Sequence, residues 1–465
     1  RLIKSQRVVL FARRPFRASS SSRVVLFSTV PPSTTPLKFS IRRKASAHVR
    51  ALAMPDAVTY CGRHASSCGY CGRAGETSSS DGAVAHALAA STYGKLIDDG
   101  WRRSGRWLYK PALEASCCAQ RTIRVRCEEF APSKSQRKVM RRLETFLRAT
   151  EREKDGSGTK AAAAAKSERT KTYAVTTARS TFVEEEFALW KRYQAAIHGD
   201  DPSELTRSSY ERFLVHSPFD DELAGPTTPS TGYGAFHQQY RIDGVLVAVG
   251  VVDILPKCLS SKYFFYEPAY AHLSLGKVSA LEEINFVLRE RRERRCPDFE
   301  YYYMGYYIHD CVKMRYKAEY APSEILCATT GRWARVDDPD VRARLDADAV
   351  APRLFDDAVA PLPRIVCSLD RSLVGVILRG ELIAAIEYAQ LDDFFHRFGL
   401  RAPPRARASF KDEQAEWCAR GGAAGMKIMN LVDIERRLLR DEDEDEEGGE
   451  DDDAFHDDEE EEDDA

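Results

Sequence analysis

The cysteine spacing of this chain specifies chemistry most directly. Cys68-Gly-Tyr-Cys71 is a close pair, and Cys117-Cys118 are adjacent. Thiolates at C-x-x-C spacing can both face one ion, and a tight glycine turn between them helps. Consecutive side chains tend to diverge, so a centre that takes only one of Cys117 and Cys118 needs another ligand. His86 is the natural fourth. A mixed nitrogen and sulfur set favours zinc, whereas four thiolates admit zinc or an iron–sulfur cluster. The plain alternative is a group of buried free thiols. Twelve cysteines in 465 residues, spaced in this way, are not a secreted disulfide framework.

Charge gives the second signal. The net charge is −2, but residues 441–465 hold 19 acids and no Lys or Arg. Without them 69 basic residues face 52 acidic ones, so a basic body carries an acidic tail. A basic body suggests a polyanion partner, RNA among them. Residues 101–142 hold twelve basic and three acidic residues, interleaved with Trp101, Trp107, Tyr109 and Phe130. Basic side chains neutralise phosphates and aromatics stack on unpaired bases, which makes Arg102, Arg103, Lys134, Lys138 and Arg141 candidate RNA contacts. The competing reading is a solvated helix face, since Val139, Leu143, Phe146 and Leu147 form an apolar stripe. Both readings hold together.

The elements that must position these residues centre on 232–288. Val245 to Leu255 is nearly unbroken apolar and valine-rich, which suits a strand buried on both faces. Lys262 to Tyr266 predicts a second strand, ended by Pro268. Ser279-x-x-Glu282 has the form of a capping box, followed by Leu281, Ile284 and Leu288 on one helical face. Phe182 to Tyr193 has helical spacing, and Asp200 or Asp201 is a candidate cap ahead of Pro202. Tyr301 to Tyr307 predicts a strand with tyrosines on both faces, about half of them in the core. Arg364 to Gln390 predicts a hairpin about Arg379-Gly380, and Lys427 to Leu439 a final amphipathic helix. No stretch of about 18 apolar residues is present, so no membrane span is expected.

Two groups of segments carry a resemblance. GYGAFHQQY from Gly232, GVVDILPKCLSSKYFFYEP from Gly250, SLGKVSALEEI from Ser274 and YYYMGYYIHDCVKMRYKAEYAPSEIL from Tyr301 form the first. CGYCG (68–72), YGKLIDDGWRRSGRWLYKP (93–111), SCCAQRTIR (116–124) and FAPSKSQRKVMRR (130–142) form the second. They resemble the C-terminal and N-terminal halves of arginyl-tRNA–protein transferases. The resemblance implies an α/β (α+β) fold: an acetyltransferase-like mixed sheet with flanking helices, plus a small N-terminal cysteine domain. It implies an iron–sulfur cluster or zinc at Cys68, Cys71, Cys117 and Cys118, and His86 falls within the similar stretch. Coenzyme A is not expected: Gly232-Tyr-Gly234 is a turn rather than a pyrophosphate loop.

The implied reaction moves arginine from arginyl-tRNA to the α-amine of proteins beginning with Asp, Glu or oxidised Cys, creating a degradation signal. That chemistry needs a cationic pocket for the acceptor carboxylate, an anionic pocket for the arginyl guanidinium and donors facing the ester carbonyl. Arg315 grips a carboxylate in two parallel hydrogen bonds and Lys313 adds charge, with Tyr316 beside them. Asp253 and Asp310 are candidates for the guanidinium. His237, beside Gln238 and Tyr240, is a candidate for proton transfer, and His309 is a second. A turn-capping role for Asp253 and a structural role for His237 are the alternatives.

The segments divide as follows: an Arg/Ser-rich extension at 1–55, expected to be disordered; a cysteine and basic domain at 56–150; a linker at 151–180; the acyltransferase-like domain at 181–335; a divergent extension at 336–440; and a disordered acidic tail at 441–465. Residues 1–55 hold twelve Lys or Arg and no acid. That is the composition of an organelle transit peptide, or of upstream sequence preceding a start at Met54. Otherwise the resemblance implies a cytoplasmic and nuclear protein. Two other functions compete: a metal-containing RNA-binding protein without transferase activity, and an aminoacyl transferase that moves Leu or Phe.

Overall fold

The computed structural model describes residues 56–148, 170–220, 222–294, 296–351, 353–354, 373–378, 381–392, 404–425 and 428–433. The expected disorder of 1–55 and 441–465 and the alanine run of the linker lie outside them. In chain order the strands are β1 (Ala57–Ser66), β2 (Ser78–Ala87), β3 (Arg102–Ser104), β4 (Trp107–Pro111), β5 (Arg121–Arg126), β6 (Tyr173–Arg179), β7 (Gly234–Ile242), β8 (Val245–Leu255), β9 (Cys258–Tyr266), β10 (Tyr301–Tyr307), β11 (Ser323–Leu326), β12 (Trp333–Arg335), β13 (Leu373–Leu378), β14 (Glu381–Glu387) and β15 (Met429–Asp433). The helices are α1 (Ala90–Asp98), α2 (Lys134–Arg148), α3 (Glu184–Tyr193), α4 (Arg207–Tyr210), α5 (Leu275–Glu293), α6 (Val312–Arg315), α7 (Pro339–Ala347) and α8 (Pro404–Gly425).

These strands form two mixed sheets. One has the order β14-β13-β15-β1-β2-β4-β3, the other β12-β11-β5-β10-β9-β8-β7-β6. The valine run is the spine of the second sheet. On one face of β8, Val249 and Val251 meet Leu189 and Trp190 of α3; on the other, Val252 and Ile254 meet Leu281 and Ile284 of α5. Burial on both faces is why this strand reads as a continuous apolar run. Helix α1 lies between the sheets, with Tyr93, Leu96 and Ile97 packed against Leu255 and Cys258.

Several boundaries differ from expectation. The α5 helix begins at Leu275, so Ser279 is interior and donates to Glu283 Oε1 at 2.8 Å rather than capping. Asp201 accepts from Ser203 in a turn, and the helix that follows is capped by Thr206 with Ser209. All five tyrosines of β10 are buried, because both faces of this central strand are covered. The expected linker ends in a strand: β6 pairs with β7 at the sheet edge. The cysteine domain is not a separate body either. β5 leaves it to pair with β10 and β11, and α2 packs on the second sheet through Val139 and Leu143.

The C-terminal extension completes the first sheet. The hairpin β13–β14 forms as expected. Residues 429–433, however, form a strand parallel to both β1 and β13, where a helix was expected. Asn430 fixes the seam: its Oδ1 accepts from Tyr60 N at 3.0 Å and its Nδ2 donates to Gln414 Oε1 at 2.9 Å. On α8, Trp417 is fully buried, with ring centroids 5.7 Å from Trp101 and 5.8 Å from Tyr60. Trp417→Ala is therefore expected to destabilise the protein by about 3–5 kcal/mol, the usual cost of truncating a buried large aromatic. Urea unfolding of the full chain checks this; an unchanged midpoint would show that α8 is dispensable to the core.

Candidate active site and metal centre

The sulfurs of Cys68, Cys71, Cys117 and Cys118 all lie within 4.8 Å of one another. The hairpin between β1 and β2 supplies the first two. The loop after β4 supplies the others, held by Cys117 N to Thr77 O at 2.8 Å and Ser116 Oγ to Ala112 O at 2.8 Å. The bend there turns both adjacent cysteines inward, overcoming the divergence that made a fourth ligand seem necessary. His86 does not belong to this group. It sits at the opposite end of β2, with Nε2 2.9 Å from Thr59 Oγ1. A backbone N–H from Arg73, and then neighbouring thiols, pull the Cys71 thiol down to about 7, so a thiolate is accessible at neutral pH. A compact four-sulfur donor set of this kind fits a soft or borderline metal.

The candidates on β7 do not share a site, because successive residues of a strand face opposite ways. His237 faces α3. Its Nδ1 lies 2.5 Å from Glu186 Oε2, and its Nε2 lies 3.2 Å from Ser180 Oγ and 3.3 Å from Leu214 O. Both His237 and Glu186 are 1% exposed, and Glu186 also accepts from Tyr210 and Gln239. Such a closed network positions α3; it offers no free nitrogen to a substrate. Gln238 and Tyr240 face α5 instead, with Tyr240 Oη 3.3 Å from Gln238 Oε1 and 3.2 Å from Ser279 Oγ. Gly250 on β8 clears this space, since a Cβ there would come 3.0 Å from Glu283 Oε1.

Asp253 is already occupied by an internal guanidinium. It forms a two-point ion pair with Arg103, in which Nε donates to Oδ2 at 2.8 Å and Nη2 donates to Oδ1. Both side chains are fully enclosed. This removes Asp253 as an arginyl pocket and Arg103 as an RNA contact. Arg102 is likewise 4% exposed, donating to the Ile97, Trp101 and Gly305 carbonyls. By contrast Lys134, Lys138 and Arg141 are exposed on the outer face of α2, opposite the buried Val139 and Leu143. His309 is held between Tyr307 Oη at 2.6 Å and Asp346 Oδ1 at 2.7 Å, a structural clamp onto α7. Lys313, Arg315 and Tyr316 are exposed on and beside α6, and Arg315 Nε donates to His309 O at 2.6 Å. Asp310 is exposed in the loop before them.

What the fold does assemble is a parting between two strands. β9 and β10 are parallel neighbours joined by α5, but they pair only over Tyr301–Tyr303 against Cys258–Ser260. Beyond that β9 stays with β8 while β10 stays with β5, so the inner edges part. Gly305, at φ +73°, forms the bulge that turns β10 away. Glu283 of α5 stands at the root of the parting. Burial raises its pKa against hydrogen bonds from Tyr302 on β10, Ser279, and Ser261 on β9. Each wall carries a buried lysine nitrogen. Lys317 Nζ donates to Tyr306 O at 2.6 Å, while Lys262 Nζ has no hydrogen-bond partner among the described residues. Burial pushes both ammonium groups down to about 7, helped by Arg103 at Lys262 and by Arg102 at Lys317. Lys313 approaches the far wall: burial and then its charge hold His198 below the ordinary histidine range.

Sequence reasoning missed Lys262, Lys317, Glu283 and Glu186. One signal was available for Lys262: a single charge inside a predicted strand whose neighbours are aromatic. Nothing in the sequence marked Glu186, since three successive glutamates open α3 and only this one turns inward.

Two family models match the chain. One described as the arginine-tRNA-protein transferase N terminus matches residues 66–138, and the corresponding C terminus matches 185–327. The chain is similar to arginyl-tRNA–protein transferase 2 of Arabidopsis thaliana, with 30% identity covering 64% of this chain and 78% of that protein. It is similar to arginyl-tRNA–protein transferase 1 of Drosophila melanogaster at 31%, covering 62% and 84% respectively. An aspartate/glutamate leucyltransferase of Pseudomonas putida is 31% identical, covering 54% of this chain and 85% of that protein.

The enclosed ion pair gives a direct test. Asp253→Asn should cost about 3–5 kcal/mol of stability, because it strands a buried guanidinium, whereas Arg103→Met with Asp253→Leu should recover most of that loss. Urea denaturation of the three proteins measures it. A stable Asp253→Asn variant with only a raised KM for arginyl-tRNA would return Asp253 to the substrate.

Proposed function

The chain belongs to the arginyl-tRNA–protein transferase family, and from that premise we propose that it adds arginine to proteins whose first residue is Asp, Glu or oxidised Cys, within the cleft between β9 and β10. It is an aminoacyltransferase: arginine moves from tRNA to protein. The parting of the two strands carries the placement. It opens two strand edges whose backbone groups no longer pair with each other, and it does so where polar side chains from both sheets converge.

The reaction asks little of a base. A free α-amine has a pKa of about 7.7–8.0, so much of it is neutral at ordinary pH. Attack on the ester passes through a tetrahedral oxyanion, and the useful work is holding amine and carbonyl together and donating to that oxygen. Backbone N–H groups along the inner edges, where β9 and β10 no longer pair with each other, are suited to this. The basic outer face of α2, with Lys134, Lys138 and Arg141, is suited to tRNA phosphates. Lys313 and Arg315 stand beside the cleft on α6, ready for substrate or for the 3′ end of the tRNA. The acidic acceptor is supported by the bacterial relative, an aspartate/glutamate leucyltransferase by name. That relative also favours a leucyl donor, which makes the donor part of the test.

At the cysteines the fit is to one tetrahedral ion held by Cys68, Cys71, Cys117 and Cys118. Metal–sulfur bonds of about 2.3 Å put the sulfurs about 3.8 Å apart, within the observed spread. A polynuclear cluster, whose metal atoms are themselves separated, needs its thiolates further apart. The ion's chemistry there is cross-linking: it joins the β1–β2 hairpin to the loop after β4.

Purified protein given radiolabelled Arg-tRNA should label a peptide beginning with Asp and spare one beginning with Ala, and Leu-tRNA should not replace Arg-tRNA. Equal labelling of the two peptides would sink the acidic-acceptor reading; transfer from Leu-tRNA would sink the arginyl one. Cys68→Ser should lose bound metal by elemental analysis. Iron with broad visible absorption in anaerobically prepared protein would replace the single ion by a cluster.

A further inference from the structure

The interior between the two sheets carries more positive than negative charge. Arg103 is neutralised by Asp253, but Arg102, Lys317 and Lys262 have no carboxylate partner among the described residues. An unpaired charge in the interior is costly, which is why burial lowers the Lys262 ammonium, and an anion brought in from outside would favour its charged form. Lys262 is the most exposed to this argument. It lies at the bulge of β9, between Ser261, which opposes Val252, and Tyr263, which opposes Val251. The residue is only half-buried while its nitrogen is enclosed, so the stem lies toward the surface and the head points in.

Two further buried polar atoms lack a hydrogen-bond partner among the described residues. Ser260 Oγ, from the residue opposite Asp253, has no hydrogen-bond partner, and Ser260 is 1% exposed. Tyr93 Oη, from α1 across the gap, also has none, and Tyr93 is fully buried. Tyr93 and Lys262 both feel the Arg103–Asp253 pair, which places them about the same charges. An ammonium and two hydroxyls without partners are a donor set for a small anion.

We propose that Lys262, assisted by Ser260 and Tyr93, holds the side-chain carboxylate of the acceptor's first residue. This rests on the acidic-acceptor reading above and names the residue that enforces it, in place of Arg315. A carboxylate at the end of a short side chain on a free chain terminus can reach in between parted strands. A phosphodiester is flanked by sugars on both sides, and its natural contacts are exposed cations such as those of α2. Charge completes the selection: the carboxylate supplies the missing counter-ion, and an uncharged side chain of the same shape does not.

The test compares acceptor peptides beginning with Asp and with Asn, using full-length protein and Arg-tRNA. Wild type should favour Asp. Lys262→Met, which keeps the stem and removes the charge, should lose roughly tenfold or more of that preference, the scale of a lost charge-assisted hydrogen bond. Its KM for Arg-tRNA should stay unchanged. Thermal melting verifies the fold, and Lys262→Gln carries the same comparison if the Met variant melts early. A selective wild type with an equally selective Lys262→Met overturns this inference alone. A raised KM for Arg-tRNA with the Asp preference intact overturns it too, and puts a tRNA phosphate at Lys262. A wild type that treats Asp and Asn alike overturns the acidic-acceptor reading, and this inference with it.

Discussion

Arg103 and Asp253 are 150 positions apart and fully enclosed, yet they face each other in two parallel hydrogen bonds. Arg103 sits on an edge strand of the first sheet, Asp253 near the end of β8, an interior strand of the second. The pair thus fixes one sheet against the other. Taking both charges out of water is expensive, and such a pair persists only when geometry is good and remaining donors are satisfied. Here Arg103 also donates to Gly105 O at 2.7 Å and lies over the Phe219 ring at 4.6 Å. Because the pair consumes both charges, Lys262 Nζ and Tyr93 Oη are left in the interior without a hydrogen-bond partner among the described residues.

The same junction ties the parted strands β9 and β10 to the sheet that carries the cysteine cluster. Helix α1 and the buried aromatics Tyr303 and Tyr306 fill the space between the sheets. Tyr306 Oη donates to Gly100 O at 2.9 Å, and Arg102 stacks over the Tyr303 and Tyr306 rings at 5.3 and 5.2 Å. The strand that parts from β9 is therefore held by residues of the N-terminal sheet. That sheet in turn carries the four-cysteine corner at one end and takes in the C-terminal strand β15 beside β1.

Burial separates the residues that chemistry alone would nominate from those the fold makes available. Arginines interleaved with aromatics suit RNA, but Arg102 and Arg103 lie on a strand turned inward, whereas Lys134, Lys138 and Arg141 lie on the outer face of a helix. A histidine beside two glutamines suggests proton transfer, but Glu186 closes over His237 from α3. Alternation along β7 then puts Gln238 and Tyr240 on the opposite side.

The sequence by itself determined the valine strand, the hairpins about it, the inward apolar stripe of α2, the four-cysteine set and the family resemblance. Each is written in local spacing, which fixes side-chain direction within one element. Tertiary structure alone decided which sheet each strand joined. It moved β5 across to pair with β10, and made residues 429–433 a strand beside β1. It also decided that His86 stands at the wrong end of β2 for the metal, that Asp253 is spent on Arg103, and that Lys262 looks into the gap. Those outcomes depend on partners far away in the chain, and a charge cannot be assigned to solvent, substrate or core until its neighbours are in place.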